Sequence, residues 1–163
     1  MRKGLLVLTL VAALAAAAAA AAPGAQQSGA VVKAAKIKKL GNATILVTAK
    51  GMSLYMYVND AQLPNSSACV DDSTYHCSKH WPPLLTTGDP VAGPGVQQAL
   101  LGTITRPEGT MQVTYKGHPL YRYAGGVAGP ADTKPGHVYG QAVLYIWYAV
   151  SPTGALVKKH PKP

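Results

Sequence analysis

Two stretches of the chain place apolar and polar residues in a similar order, and both are rich in β-forming residues. Residues 45–60 read ILVTAKGMSLYMYVND, and residues 111–126 read MQVTYKGHPLYRYAGG. Each stretch has β-forming residues before a Lys-Gly pair, which is typical of a turn, and a second β-forming run after it. The pattern therefore predicts a β-hairpin in each stretch.

The two stretches align without gaps at an offset of 66 residues. Identical residues occupy Val47/Val113, Thr48/Thr114, Lys50/Lys116, Gly51/Gly117, Leu54/Leu120, Tyr55/Tyr121 and Tyr57/Tyr123. The same offset places Trp81 on Trp147, a match that lies outside the aligned stretch and therefore tests the alignment independently. We interpret the pattern as an internal duplication of one unit that is too small to bury a core alone.

Each predicted hairpin carries a pair of tyrosines on one face. Tyr55 and Tyr57 are two residues apart in a strand and share a face, as do Tyr121 and Tyr123. Aromatic pairs at this spacing usually pack in a core or across strands. We expect packing, with a ligand-binding surface as the alternative.

Further elements follow from the same kind of pattern. Residues 102–106 predict a strand, and the aromatic and β-branched run at 142–150 (AVLYIWYAV) predicts a long strand at the centre of the sheet. Residues 155–157 are expected to pair back after a turn, and residues 97–101 predict one helical turn. The fold class predicted is all-β, with two similar antiparallel β units packed into one small domain.

The N-terminus has the three parts of a secretory signal peptide. Arg2 and Lys3 supply a positive start, residues 5–22 form an uncharged run rich in alanine, and small residues near Ala25 offer cleavage sites. An uncleaved membrane anchor is the alternative, because the apolar run approaches spanning length. We expect cleavage, which makes the protein exported, either secreted or held in the periplasm or cell envelope.

The chain is basic, with 15 Lys and Arg against 6 Asp and Glu and a formal charge of +9. The lysines concentrate at the two ends, in Lys33, Lys36, Lys38 and Lys39 and in Lys158, Lys159 and Lys162. The predicted segments are a signal peptide at 1–25, a flexible basic linker at 26–40, the duplicated β domain at 41–157 (repeat 1 about 41–90, repeat 2 about 102–157) and a basic tail at 158–163.

This charge indicates which partners to expect. A basic exported protein is attracted to anionic lipids, wall polymers and acidic glycans. We expect an anionic envelope polymer, a glycan or another envelope protein as partner, and contact with a membrane only through charge or an uncleaved leader. No basic helix or helix-turn-helix pattern occurs in the sequence, which argues against specific nucleic-acid binding.

Cys69 and Cys77 are the only cysteines of the sequence. In an exported chain an even number of cysteines indicates a disulfide, here closing a short loop before Trp81. The alternative is a zinc or copper site formed by Cys69, His76, Cys77 and His80, although their spacing matches no zinc-ribbon pattern. We expect the disulfide and no metal.

No other signature of a cofactor or of catalysis emerges. A C-x-x-C-H haem-attachment motif is absent from the sequence, and non-covalent haem binding through His118, His137 or Met52 is an unsupported alternative. Asp60 follows a strand and is expected to cap a turn, rather than to bind a cation or substrate. The sequence also lacks G-x-S-x-G, H-E-x-x-H and P-loop motifs. We therefore expect a protein that is not an enzyme and has no cofactor.

Several ordered motifs together resemble a known family. Tyr55-Met56-Tyr57-Val58-Asn59-Asp60 fits Y-x-[FWY]-x-x-D, the motif of secreted bacterial lipoproteins and repeat proteins of unknown function. The two cysteines followed by Trp81-Pro82-Pro83, the segment 113–121 and the terminal segment 147–154 extend the resemblance over roughly residues 41–154. The second repeat departs from the motif, with Gly126 where the aspartate belongs, and the lipid-bearing cysteine is missing.

The resemblance implies export and duplication but no activity. The leading hypothesis is a non-catalytic exported module that binds a partner at the cell envelope. An envelope redox or metal-handling protein is the alternative, and a hydrolase using Asp60 is a third hypothesis.

Overall fold

The computed structural model describes residues 29–62, 66–71 and 76–162. The predicted signal peptide at 1–25 and the first residues of the predicted linker lie outside the described residues. The strands are β1 Val31–Ile37, β2 Ala43–Thr48, β3 Tyr55–Tyr57, β4 Leu85–Thr86, β5 Val91–Ala92, β6 Leu101–Thr105, β7 Met111–Tyr115, β8 His118–Pro119 and β9 Trp147–Ala149. The helix α1 is Cys77–His80, and 3-10 turns occupy Lys38–Leu40, Val58–Gln62, Gln98–Leu100 and Val143–Tyr145.

The strands form three small sheets. One has the order β2-β1-β5, the second pairs β3 with β9, and the third has the order β4-β7-β6 with β8 also on β7. All pairs are antiparallel except β1 with β5. The all-β prediction is confirmed. Within the described parts of the chain, no helix is long and apolar enough to cross a membrane.

The predicted linker at 26–40 is wrong over its C-terminal half. Val31–Ile37 is a strand at the centre of its sheet, paired along its length with β2. Val32 and Ile37 are buried, while Lys36 is exposed. Alanine and lysine are depleted in strands, so this segment carries a weak propensity, and the neighbouring strands impose its conformation.

The two repeats are interlocked. The backbone N–H of Tyr55 donates to the carbonyl of Tyr121, and the N–H of Tyr121 donates to the carbonyl of Tyr55, both at 2.9 Å. Strand β3 of the first repeat pairs with β9 of the second, and β4 of the first pairs with β7 of the second. The duplicated units therefore exchange strands across an approximate two-fold axis, which passes between Tyr55 and Tyr121.

Both faces of β3 are buried because the molecule has two cores. Tyr55 belongs to an aromatic core that also holds both tryptophans, whereas Leu54 and Met56 belong to an aliphatic core. The two-residue period of a strand sends successive side chains to opposite cores. Repeat 2 shows the same division, with Leu120 in the aliphatic core and Tyr121 in the aromatic one.

The long strand predicted at 142–150 is also wrong. Only Trp147–Ala149 is a strand, and Val143–Tyr145 is a 3-10 turn. Ala142, Leu144 and Tyr145 adopt positive φ values of 59°, 50° and 57°. Such left-handed backbone is incompatible with an extended strand, although the residue types favour one. Three other predictions are confirmed: β6 lies at 101–105, Gln98–Leu100 forms a turn, and Leu156 pairs back with Val150. The hairpin predicted in repeat 1 is reduced to a bridge between Val47 and Ser53, and its second strand pairs with β9 instead.

Candidate functional site

Two of the motif tyrosines and both tryptophans form a row of rings at the approximate two-fold axis. Tyr57 stacks on Trp147 at 4.4 Å between ring centroids, Trp147 stacks on Trp81 at 3.9 Å, and Tyr123 packs on Trp81 at 4.5 Å with its ring tilted by 38°. Tyr55 and Tyr121 meet the tryptophans edge-on. Each outer tyrosine thus packs on the tryptophan of the other repeat. The tryptophans are each only 3% exposed, so the stack is a packed core rather than an open binding surface. The packing interpretation of the tyrosine pairs is confirmed.

Asp60 of the first repeat forms a hydrogen bond with a tyrosine of the second. Its carboxylate accepts hydrogen bonds from the Tyr121 hydroxyl at 2.6 Å and from the backbone N–H of Ala68 at 2.7 Å. Burial raises the pKa of Asp60 above its ordinary value, and the hydrogen bonds from Tyr121 and Ala68 oppose the rise. Ala68 lies eight residues beyond Asp60, so this bond spans a longer loop than the local turn cap that the sequence predicted.

The second repeat supplies a substitute for its missing aspartate. Gly126 occupies the motif position, but Asp132 accepts a hydrogen bond from the Tyr55 hydroxyl at 2.5 Å and another from the Tyr139 N–H at 2.8 Å. Burial raises the pKa of Asp132 as well. Each repeat therefore contributes one carboxylate to the tyrosine of the other, the buried Asp60 and the half-buried Asp132, and the apparent loss of a second aspartate is corrected. A gapless alignment does not reveal this pair, because Asp132 lies six residues beyond the motif position.

The disulfide predicted between Cys69 and Cys77 is present, with 5.2 Å between the Cα atoms. His76 contacts Asp71 at 2.9 Å, and the Nδ1 of His80 lies 2.8 Å from the Gly125 carbonyl oxygen. Both sulfur atoms are bonded to each other, so the alternative ligand set of Cys69, His76, Cys77 and His80 is not assembled. Within the described residues, no group of three or more His, Cys, Asp or Glu side chains is placed to hold a metal.

Arg106 is a buried charge that the sequence analysis did not single out. Its side chain is 1% exposed and donates to the Glu108 carboxylate, the Gln112 side-chain oxygen and the Cys69 carbonyl. A buried guanidinium needs such partners, because an unpaired charge in the interior is costly. Arg106 therefore ties the disulfide loop to β7. Arg106 is the last residue of the strand predicted at 102–106, and that position did not indicate a buried, paired charge.

The lysines of the two chain ends meet on one surface, which we call the basic face. It consists of the exposed residues Lys38, Lys39, Lys158, Lys159, His160 and Lys162. The N–H of Lys162 donates to the Lys39 carbonyl at 2.8 Å, and the Gln141 side chain donates to the Lys159 carbonyl at 3.0 Å. The predicted basic tail therefore lies along the body of the protein over residues 158–162.

The positive charges of the basic face have no acidic partner in the described parts of the chain. The ion pairs found there join His76 to Asp71 and Arg106 to Glu108, and neither involves a lysine. The one aromatic neighbour of a lysine is Tyr139, whose ring centroid is 5.8 Å from the Lys39 Nζ. Charges of one sign in solvent attract anions over about one Debye length, which is about 8 Å at physiological salt.

A strained turn next to this face exposes two apolar side chains. Leu144 is 55% exposed and Tyr145 is 75% exposed, and we call this pair the tip. The Tyr145 ring lies 6.4 Å from the His160 ring of the basic face. A non-glycine residue in left-handed backbone costs about 1–2 kcal/mol, and such strain is found disproportionately at functional sites.

The surroundings of the tip hold it in this conformation. Val143 is buried beneath the turn, and the N–H of Ala142 donates to the Trp147 carbonyl at 2.9 Å. The side chain of Gln141 spans the base, accepting from the Ala149 N–H at 2.8 Å while donating to the Val157 carbonyl. The tip is therefore a fixed projection anchored to the core and to the basic C-terminal segment.

These features define a small, interlocked β-rich repeat protein. A model of a family described as a secreted repeat of unknown function matches residues 36–85 and 102–151, which together make up more than half of the chain. The chain belongs to this family, and it is an exported protein. The two matched segments begin 66 residues apart, in agreement with the offset of the internal duplication. No curated protein and no solved structure is similar enough to the chain to be matched.

Proposed function

We propose that this protein is a non-catalytic module that binds an anionic component of the cell envelope through its basic face. The observation that carries the proposal is the convergence of the two lysine groups, whose backbones meet between Lys39 and Lys162 at 2.8 Å. The sequence separates these groups by more than a hundred residues. Their assembly produces a local density of positive charge that flexible, separate ends would not provide.

Placement of the tyrosines, tryptophans and aspartates supports a binding role over a catalytic one. The Tyr55–Asp132 and Tyr121–Asp60 pairs are engaged in hydrogen bonds inside the fold. These hydrogen bonds join the two repeats, which accounts for the presence of one such pair in each copy. The basic face and the tip, by contrast, combine exposed cations without an acidic partner in the described residues with two exposed apolar side chains on strained backbone.

Salt dependence tests this proposal. The exported protein is incubated with envelopes from its own cells, and the fraction that sediments is measured between 50 and 500 mM NaCl. Binding through several lysines predicts that the association constant falls steeply as salt rises, because charge attraction is screened. Association that is unchanged over this range would contradict the proposal.

A further inference from the structure

We infer that the anionic component is a lipid bilayer, and that the tip inserts among the lipid headgroups while the basic face lies on the anionic surface. This inference rests on the proposed function and names its ligand. It is carried by the position of Leu144 and Tyr145, adjacent exposed residues of one turn, of which Tyr145 lies beside His160 of the basic face.

The side chains of the tip suit the boundary between water and hydrocarbon. Tyr145 has an apolar ring with a polar hydroxyl, and tyrosine is enriched at membrane interfaces for this reason. Leu144 adds an aliphatic group at the next position, half exposed to solvent in the free protein. A soluble polyanion satisfies the lysines but leaves both apolar groups in water, whereas a bilayer accepts both.

The geometry also lowers the cost of insertion. The N–H of Tyr145 donates to the Ala142 carbonyl, and the N–H of Ile146 donates to the Val143 carbonyl, both at 3.1 Å, so two backbone N–H groups of the turn are paired within it. Polar backbone groups without partners are the main penalty of placing a loop in an apolar medium. Because the turn is held in place before binding, little conformational entropy is lost on contact.

The charges near the tip supply the second signal that stable membrane attachment requires. One small apolar insertion binds weakly and reversibly, and adjacent basic residues strengthen it on anionic lipid. Lys158 and Lys159 precede His160, whose ring faces Tyr145. The arrangement therefore joins an apolar projection to a cluster of cations on one side of the molecule.

The test compares the exported protein with a Leu144→Ser/Tyr145→Ser variant. Binding is measured to vesicles of phosphatidylcholine with and without phosphatidylglycerol, and separately to soluble polyphosphate. Both proteins carry the same N-terminus, which cancels any contribution of residues outside the described part of the chain. Leu85→Ser/Val91→Ser is the matched control, since both residues are 46% exposed and lie in strands β4 and β5 rather than in the tip.

We expect binding to anionic vesicles only, weakened at least fivefold by the tip variant and unchanged in the control, while polyphosphate binding is the same in all three proteins. Tyr145→Trp adds a reporter, whose emission should shift to shorter wavelength with anionic vesicles. Vesicle binding that survives the tip variant, or polyphosphate binding without vesicle binding, overturns the lipid inference and leaves the proposed function standing. Failure to bind either ligand overturns both.

Discussion

Tyr55 and Tyr121 occupy equivalent positions of the two repeats and hydrogen-bond to each other through both backbone groups at 2.9 Å. Each side chain then donates a hydrogen bond to an aspartate of the opposite repeat, Tyr55 to the half-buried Asp132 and Tyr121 to the buried Asp60. The tyrosines therefore join the repeats through the backbone and through side chains at the same point. This junction explains why neither repeat is expected to fold alone.

Removal of one hydroxyl from this junction should destabilise the protein. Tyr121→Phe leaves the buried Asp60 carboxylate without its tyrosine donor, and we expect the free energy of unfolding to fall by about 1–3 kcal/mol. Urea denaturation monitored by tryptophan fluorescence measures the change. Tyr145→Phe is the control, because that ring is 75% exposed, and its effect should stay within about 0.5 kcal/mol. Equal stabilities of the two variants would contradict the account.

The ring stack makes a second prediction. Trp81→Ala or Trp147→Ala removes a large buried side chain, and each should cost about 3–5 kcal/mol. The milder Trp81→Phe and Trp147→Phe variants should fold and should each abolish the same near-ultraviolet circular dichroism signal, because the two indoles couple at 3.9 Å. A signal that persists in one phenylalanine variant would show that the rings do not stack on each other.

Because burial raises the pKa values of Asp60 and Asp132, these groups should make the free energy of unfolding increase as the pH falls. The pKa of Asp60 is raised by burial, so the folded protein binds this proton more tightly than the unfolded chain. Its contribution to the free energy of unfolding therefore increases as pH falls through the raised folded pKa towards the unfolded value of about 3.9. Asp132 acts in the same sense, since burial raises its pKa as well.

Comparison with Asp60→Asn isolates this effect, because asparagine does not titrate. Urea denaturation at pH 7 and pH 4 should show the wild type gaining stability relative to the variant as the solution becomes acidic. Glu108 has the opposite effect on the free energy of unfolding, but it is present in both proteins, so its effect cancels in their difference. Burial acts to raise the pKa of Glu108, but hydrogen bonds, first that from Arg106, together bring it below its ordinary value. A relative loss of wild-type stability in acid would contradict the raised pKa of Asp60.

Much of this fold could be predicted from the sequence, because the repeat at an offset of 66 residues identifies the two duplicated units. Two features could not. Strand β1 has the composition of a soluble linker, and only its pairing with β2 and β5 makes it a strand. The strand predicted at 142–150 has the right residue types, but the buried Val143 and the bonds of Gln141 impose a left-handed turn.

The candidate site was less accessible to prediction than the fold. Both lysine groups were evident, but their meeting depends on the path of the C-terminal segment, which crosses to Lys39 after leaving Val157. Asp132 was hidden for a similar reason, since a loop of different length brings it to Tyr55. Long-range placement of this kind has no local signal in one sequence.

Backbone strain at Ala142, in the turn that carries the tip, yields a further prediction. Ala142 has a φ of 59°, which glycine adopts without the steric cost that alanine incurs. We expect Ala142→Gly to raise the free energy of unfolding by up to about 1 kcal/mol. The control is Ala155→Gly, at an exposed position without positive φ, which should lower it by a smaller amount. Destabilisation by Ala142→Gly as large as that by Ala155→Gly would remove the case for strain.

The central claim is that a defined face, and not the overall charge, binds the envelope. The variants Lys158→Glu/Lys159→Glu and Lys50→Glu/Lys134→Glu have the same net charge, but only the first alters the basic face. Lys50 follows the end of β2 opposite to Lys39, and a strand of six residues spans about 20 Å. The backbone at Gly51 lies against Pro135, next to Lys134.

The decisive measurement is the affinity of these two variants for anionic envelope preparations at one salt concentration. A face-specific interaction predicts at least a tenfold loss for Lys158→Glu/Lys159→Glu and less than about a twofold change for Lys50→Glu/Lys134→Glu. Equal losses in the two variants, or no loss in either, would contradict the assignment of binding to the basic face.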